Sequence, residues 1–358
     1  MSNRTRILLA AVLVFGGVAW ALLHFARGPQ WQEFSAAFWN SLSHANRPYL
    51  VLGACLTFTS YFARCLRWRV FLHPMKTASL WNLLVATLIG FSAVALASRA
   101  GEIVRPWLIA QKEHLPLSTQ LGAWTLERVF DTLTLVSLLG VSLWLIPAPD
   151  ATATGASTLL GHFRSAGVVL TLGAFLIAAL LAQLRYFPRF TATLIGWFAR
   201  PLPERYRKGL LQFLEHFSST LGVIENSRSF LACAGWSLLV WLTLFGAYWS
   251  AALAFGEPLS RLHPASMVLV MVASVTGSLA YLPGVGGGTQ VATTFTLSRV
   301  FGIPLPVATS MALTVWTMTY LLVLLPGLPL AAREGLTWSR FRTLLHSRET
   351  SQPPAPAA

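Results

Sequence analysis

Three ionisable side chains interrupt an otherwise apolar stretch near position 100. Arg99, Glu102 and Arg105 follow one another at intervals of three in LIGFSAVALASRAGEIVRPWLIAQ, residues 88–111, and Gly101 stands between the first two. In a helix this spacing places them on one face, where each can pair with the next. At membrane depth each would cost roughly 3 kcal/mol. One interpretation is a polar cleft of net positive charge that suits a phosphate-bearing headgroup; the other is a solvated cytoplasmic loop.

A second ionisable set lies in the segment TLERVFDTLTL. Glu127 and Asp131 are four residues apart, hence on one helical face, and Arg128 precedes Asp131 by three. Because these residues open a long apolar run, we expect them at or just inside the membrane interface. The set fits a carboxylate pair that carries a proton or balances the arginines, and it equally fits an ion pair that holds helix ends.

A glycine-rich segment, YLPGVGGGTQVATTF, occupies residues 281–295. Pro283 and the glycines after it break any helix, and irregular backbone at membrane depth is tolerated only where it is buried or lines a cavity. Amides freed at the next helix start suit an anion, although a plain loop between spans also fits. The candidate headgroup contacts in this segment are Gly284, Gly286, Gly287 and Gln290.

A fourth candidate is Arg67 in RCLRWRVFL, at the end of an apolar run. An interfacial anchor explains it, with arginine reaching the headgroups and tryptophan at the interface; headgroup contact is the alternative. The sequence contains no GxxxxGK[ST], HExxH or GxSxG motif. We therefore expect no catalytic residues, no metal and no cofactor, and we take the three scattered cysteines as small hydrophobic residues.

The elements that must position these residues are membrane helices. The chain of 358 residues is 55% hydrophobic and only 11% charged, whereas a soluble domain carries about 25% charged residues. The net charge of +14 comes from arginines beside apolar runs, which is typical of topology signals rather than of nucleic-acid binding. The predicted spans are 7–25, 49–66, 80–97, 119–147, 166–184, 231–255, 264–282 and 306–330.

The basic connections predict the topology. By the positive-inside rule the N-terminus, 64–78, 185–228 and the C-terminus are cytoplasmic, and 148–163 is outside. With these assignments, the number of apolar segments does not match the number of membrane crossings needed in either half of the chain. We predict an all-α polytopic membrane bundle with two re-entrant helical hairpins in an inverted repeat. A full crossing by 284–302 satisfies the count equally well.

The hairpins and flanking segments complete the predicted organisation. The first hairpin pairs 80–97 with 101–112, and the second pairs 264–282 with 289–302. Residues 204–226 have helical apolar spacing and predict a helix on the inner leaflet. We expect one transmembrane domain over residues 1–335 and a disordered cytoplasmic tail over 336–358.

These motifs resemble a known family. RCLRW, SRAGEIVRPWL, LERVFD and LPGVGGG together are similar to the flippase-like integral membrane domain of lysylphosphatidylglycerol synthetases, over roughly residues 5–335. The resemblance implies a lipid-translocating domain with re-entrant helices. We expect no soluble synthase domain in this chain, and we therefore do not expect it to make the lipid. The family often places Glu after the glycines, where this chain has Gln290.

The expected function is translocation of an anionic or glycosylated lipid headgroup across the bacterial inner membrane. A membrane-embedded transferase acting on a lipid phosphate is one alternative. A non-catalytic membrane partner of a separate lipid-modifying enzyme is another. The expected partners are membrane lipids, not nucleic acid, and the sequence sets no oligomeric state.

Overall fold

A computed structural model describes residues 29–146, 165, 167–169, 171–176, 227–282 and 286–335. These residues are helical apart from turns and one pair of two-residue strands. The α-helices are Pro29–Ser43 (α1), Arg47–Leu72 (α2), Leu80–Ala97 (α3), Val104–Glu113 (α4), Leu117–Leu145 (α5), Gly167–Leu176 (α6), Ser227–Phe255 (α7), Pro264–Gly277 (α8), Gly288–Phe295 (α9), Leu305–Trp316 (α10) and Leu324–Arg333 (α11). Shorter 3-10 or π turns are Ser98–Ile103, Leu259–Arg261, Ser278–Ala280, Thr296–Val300 and Thr317–Leu321, and the strands are Tyr281–Leu282 (β1) and Gly286–Gly287 (β2).

Five helical segments are long and apolar enough to cross a membrane by length and composition. They are α2, α3, α5, α7 and the continuous Leu305–Arg333 segment that joins α10 to α11, and they confirm five predicted spans. The predicted span 264–282 is instead a shorter helix, α8 with its following turn. The predicted span 7–25, the interfacial helix 204–226 and the tail 336–358 lie outside the described residues, as does most of 166–184.

The chain reverses direction after α3. Ser98 adopts a left-handed conformation (φ 55°), and the 3-10 turn returns the backbone so that α4 packs against α3. Gly101 makes the reversal possible, because any Cβ there would overlap the main chain of Ala93. Small residues are thus required where the two arms of this first hairpin, residues 80–113, come together.

The two ends of the first hairpin meet. The Glu113 carboxylate accepts hydrogen bonds from the Ser79 amide (3.2 Å) and from Asn82 (2.8 Å), and it pairs with Lys76 at 3.1 Å. Burial favours the neutral acid, but these hydrogen bonds outweigh it and hold the pKa of Glu113 below its ordinary value. The segment therefore starts and finishes on one side of the fold.

A second hairpin, residues 264–303, is built around the glycine-rich segment. Strands β1 and β2 pair in antiparallel register, with Tyr281 opposite Gly287. The arms α8 and α9 touch at Gly277 and Gly288, where a Cβ on either residue would collide with the main chain of the other. At the far end, Ile303 packs in the same apolar cluster as Met267, so this segment also begins and ends on one side.

The hairpins lie along successive halves of α5. Leu126 and Phe130 pack in the cluster formed by α3 and α4, whereas Leu135 and Leu138 pack against the cluster formed by α8 and the turn after α9. Strand β1 also contacts the 3-10 turn of the first hairpin. The two hairpins thus approach tip to tip, from opposite ends of α5. Whether they are re-entrant in a membrane stays a prediction.

A tightly packed antiparallel pair, α2 and α7, runs beside the hairpins. The amide of Asn46, just before α2, donates to the carbonyl of Ala254, near the end of α7 (2.7 Å). At the opposite end, Arg67 of α2 contacts Ser237 of α7. Because of this pairing, the RCLRW motif of α2 lies beside the part of α5 where the two hairpin tips meet.

Candidate functional site

Arg67 joins the two carboxylates of α5. One guanidinium nitrogen lies 2.6 Å from Oδ1 of Asp131 and the other lies 2.5 Å from Oε1 of Glu127. The Arg67 side chain is fully buried, and it donates a further bond to the Ser237 hydroxyl at 2.7 Å. The interpretation of Arg67 as an interfacial anchor is therefore wrong, since its charge is held inside the protein.

Two further arginines reach the same carboxylates from other helices. Arg105 of α4 lies 3.0 Å from Oε2 of Glu127, and its guanidinium stacks 4.2 Å from the ring centroid of Trp68. Arg64 of α2 lies 3.4 Å from Asp131. A cation over an aromatic face is stabilised by the ring quadrupole. Helices α2, α4 and α5 are thus tied together by paired, buried charge.

Arg128 completes this ionic cluster from its exposed side. Its guanidinium lies 3.2 Å from Asp131 and 3.8 Å from Glu127, and its side chain is 45% exposed. Four arginines and two carboxylates leave the cluster with two uncompensated positive charges. Each arginine has a carboxylate within 4.0 Å, but the excess of positive charge favours a site that receives an anion.

The cluster lies far from both helix ends. Asp131 is the midpoint of Leu117–Leu145, a helix of 29 residues. At about 1.5 Å per residue, it is roughly 20 Å from either end, whereas the hydrocarbon core is about 30 Å thick. Because α5 begins ten residues before Glu127, the set does not open the helix; its position relative to the membrane interface stays a prediction.

A cavity of about 200 Å³, here called the central cavity, opens beside the cluster. The ionisable side chains lining it are Arg64, Glu102, Arg105, Arg128 and Asp131. The aromatic residues lining it are Phe91, Trp124, Trp241 and Tyr320. Trp241 is the midpoint of Ser227–Phe255. The cavity therefore lies beside the midpoints of α5 and α7, between the two hairpins.

Three buried donors at the central cavity have no hydrogen-bond partner within the described part of the chain. They are Nε of Arg64, Nε of Arg105 and the indole nitrogen Nε1 of Trp241. A buried donor that makes no hydrogen bond costs about 1–3 kcal/mol. A hydrogen bond to a ligand oxygen would offset this cost. The cavity therefore offers hydrogen-bond donors, which suit an anion or a polyhydroxyl group that brings acceptor oxygens.

The structure brings together only some of the predicted site residues. Glu102, Arg105, Arg128 and Asp131 line the central cavity, while Glu127 and Arg67 lie behind it. Gly101 serves the hairpin turn. Arg99 is in the 3-10 turn by its backbone, and its side chain lies outside the described part.

The glycine-rich candidates have a different role. The Gly287 amide donates to Oε1 of Gln290 at 2.7 Å, which caps the start of α9. Gly286 is in β2, and Gly284 lies outside the described residues. Neither Gly286, Gly287 nor Gln290 lines the central cavity. Gly287 and Gln290 cap the second arm of the hairpin, and headgroup contact by the glycine-rich segment stays a prediction.

Sequence reasoning missed several lining residues. Arg64 had a signal, since it precedes Arg67 by three residues and a helix places both on one face. Phe91, Trp124 and Trp241 had none, because single aromatic residues in apolar spans are ordinary packing residues.

The fold and site define a polytopic helical membrane protein with a net-positive, partly aromatic cavity beside the midpoints of α5 and α7. Residues 7–327 match the family described as the lysylphosphatidylglycerol synthase TM region. The chain belongs to this family. No curated protein and no solved structure matches it.

Proposed function

We propose that this protein translocates an anionic or glycosylated lipid headgroup across the bacterial inner membrane. One observation carries the proposal: a net-positive cavity with unpartnered buried donors, at the middle of spans α5 and α7. A headgroup can cross hydrocarbon only if its polar atoms keep partners. The guanidinium groups of Arg64, Arg105 and Arg128 supply them for phosphate.

The hairpins give this cavity two routes of access. They approach tip to tip from opposite ends of α5, and we propose that both are re-entrant. Movement of one tip at a time would expose the cavity to one membrane face at a time. The acyl chains would remain in the surrounding lipid while the headgroup passes.

The basic connections support an orientation in the membrane, and the cavity lining supports a class of lipid partner. The basic connections 64–78 and 185–228 support a cytoplasmic N-terminus and C-terminus. Trp241, Trp124 and the Asp131 carboxylate also suit the faces and hydroxyls of a sugar. A separate enzyme would supply or modify the lipid, and this chain would move it.

The test is reconstitution into liposomes that carry a panel of lipids labelled in one leaflet. The protein should accelerate transfer of at least one anionic or glycosylated lipid above protein-free vesicles. Arg128→Gln should slow it about tenfold, since a hydrogen bond to a charged group is worth about 1.5–3 kcal/mol. Arg261→Gln, which removes an exposed arginine paired with Glu257, should leave the rate unchanged.

Two results would contradict this function. The first is that no lipid crosses faster than in protein-free vesicles. The second is that mass spectrometry finds the lipids chemically altered and not moved, which would favour a transferase.

A further inference from the structure

Glu102 differs from the other carboxylates at the central cavity. Glu127 and Asp131 are each held by several arginines at 2.5–3.8 Å. Glu102 lines the same cavity with a half-buried side chain, yet within the described ranges no basic group lies within 4.0 Å of it. Glu102 therefore lines the cavity without a fixed cationic partner among the described residues.

The groups around Glu102 come from every wall of the cavity. The ionisable ones are Arg64 of α2, Arg105 of α4, Arg128 and Asp131 of α5, and the Tyr320 phenol. The walls from α3, α7 and α8 contribute no ionisable side chain to the lining. With Glu102 ionised, the lining has three positive and two negative charges.

An entering phosphate group changes the balance at Glu102. The arginines attract the phosphate, but a cavity of about 200 Å³ keeps any occupant within a few ångströms of the carboxylate. Two anions at that distance repel each other strongly where water is scarce. Protonation removes the repulsion and turns Glu102 into a hydrogen-bond donor for a phosphate oxygen.

We propose that Glu102 takes up one proton when a phosphate-bearing headgroup binds in the central cavity and releases it when the headgroup leaves. Headgroup and proton then cross the membrane together, in the same direction. This inference rests on the proposed function, and it adds that a proton is the ion coupled to headgroup translocation. By linkage, the proton must favour headgroup binding as much as the headgroup favours protonation.

The first experiment measures binding against pH for the intact protein in nanodiscs. The probe is dioctanoyl phosphatidylglycerol, whose phosphodiester keeps one negative charge throughout. A parallel arm uses glycerophosphoglycerol, the same phosphodiester without acyl chains, to separate a lipid site from a site for free phosphodiesters. Between about pH 8 and about pH 5, wild-type affinity should rise as pH falls, by up to tenfold per pH unit for one coupled proton.

Variants identify the group that takes up the proton. Glu102→Gln is uncharged and nearly isosteric, so binding should become tight and independent of pH. Glu257→Gln removes an exposed carboxylate whose side chain is 63% accessible, and it should behave as wild type. In liposomes, an imposed pH gradient should change the transfer rate for wild type and not for Glu102→Gln.

Each other outcome is decisive. Wild-type affinity that does not vary with pH, or a Glu102→Gln variant that keeps the wild-type slope, overturns the coupling and leaves translocation standing. Tight binding of glycerophosphoglycerol alone would show a site for a soluble phosphodiester and overturn the lipid coupling. If no probe binds and no lipid crosses, the proposed function fails with it.

Discussion

Arg67 is the single side chain on which the ionic cluster most depends. It bonds to Glu127, Asp131 and Ser237 at once, from full burial. Removing one partner of a buried ion pair is strongly destabilising, and the loss of Arg67 would remove the nearest cation of both carboxylates. The role of Arg67 is therefore to hold α2, α5 and α7 at the spacing that the central cavity requires.

Replacement of Arg67 tests this role. Arg67→Met should destabilise the protein by about 3–5 kcal/mol, measured as a lower midpoint of thermal unfolding in detergent. The double variant Arg67→Met with Asp131→Asn should recover part of the loss, since it removes one charge of each sign. Arg69→Met, two residues further along and exposed, is the matched control and should have little effect. A double variant no more stable than Arg67→Met would contradict this account.

At the scale of elements, each hairpin depends on glycines where its arms touch. Gly101 approaches the main chain of Ala93 in the first hairpin, and Gly277 approaches that of Gly288 in the second. Neither contact leaves room for a side chain. These close approaches fix the positions of the two hairpin tips, and through them the walls of the central cavity.

Gly288→Ala should disturb the second hairpin. The added methyl group would overlap the carbonyl of Gly277, and we expect a loss of about 1–3 kcal/mol, the range found for overpacked cores. The measurement is thermal unfolding together with the yield of folded protein. Gly235→Ala in α7 is the control, because no described heavy atom lies within 4 Å of its added Cβ; it should be neutral or slightly stabilising. Equal stability of the two variants would refute the close contact.

At the scale of the whole molecule, the packing of the hairpins predicts which segments lie on the same side of a membrane. The Glu113 contacts with Lys76, Ser79 and Asn82 bring both ends of the first hairpin together. The antiparallel pairing of α2 with α7 places the turn at Arg261 at the other end of the bundle. A membrane around these spans would therefore separate Arg261 from both ends of the first hairpin.

Single-cysteine labelling tests this arrangement. In a Cys55→Ala background, Thr77→Cys and Ser118→Cys should react with an impermeant maleimide from the same membrane face, and Arg261→Cys should react from the opposite face. Cys65 and Cys233 are fully buried and should stay unlabelled in all three proteins, which serves as the internal control. Labelling of Thr77→Cys and Ser118→Cys from opposite faces would show that 80–113 crosses the membrane instead of returning.

The sequence by itself determined the class of protein and most of its spans. Span length and hydrophobicity are local properties, and 80–97 was predicted with the boundaries that the structure has. The spacing of Glu127 and Asp131 was also readable, because one helix fixes the distance between residues four apart. The pairing expected from the spacing of Glu102 and Arg105 does not form, because Glu102 lies in a 3-10 turn and Arg105 pairs with Glu127 instead.

Only the tertiary structure decided which charges meet. Arg67 pairs with Glu127, 60 residues further along the chain, and Trp241 joins their cavity from a third helix. No periodicity encodes such contacts, since they arise when helices distant in sequence pack together. The same packing assigned Gly287 and Gln290 to the start of a helix, although their composition equally suited an anion site.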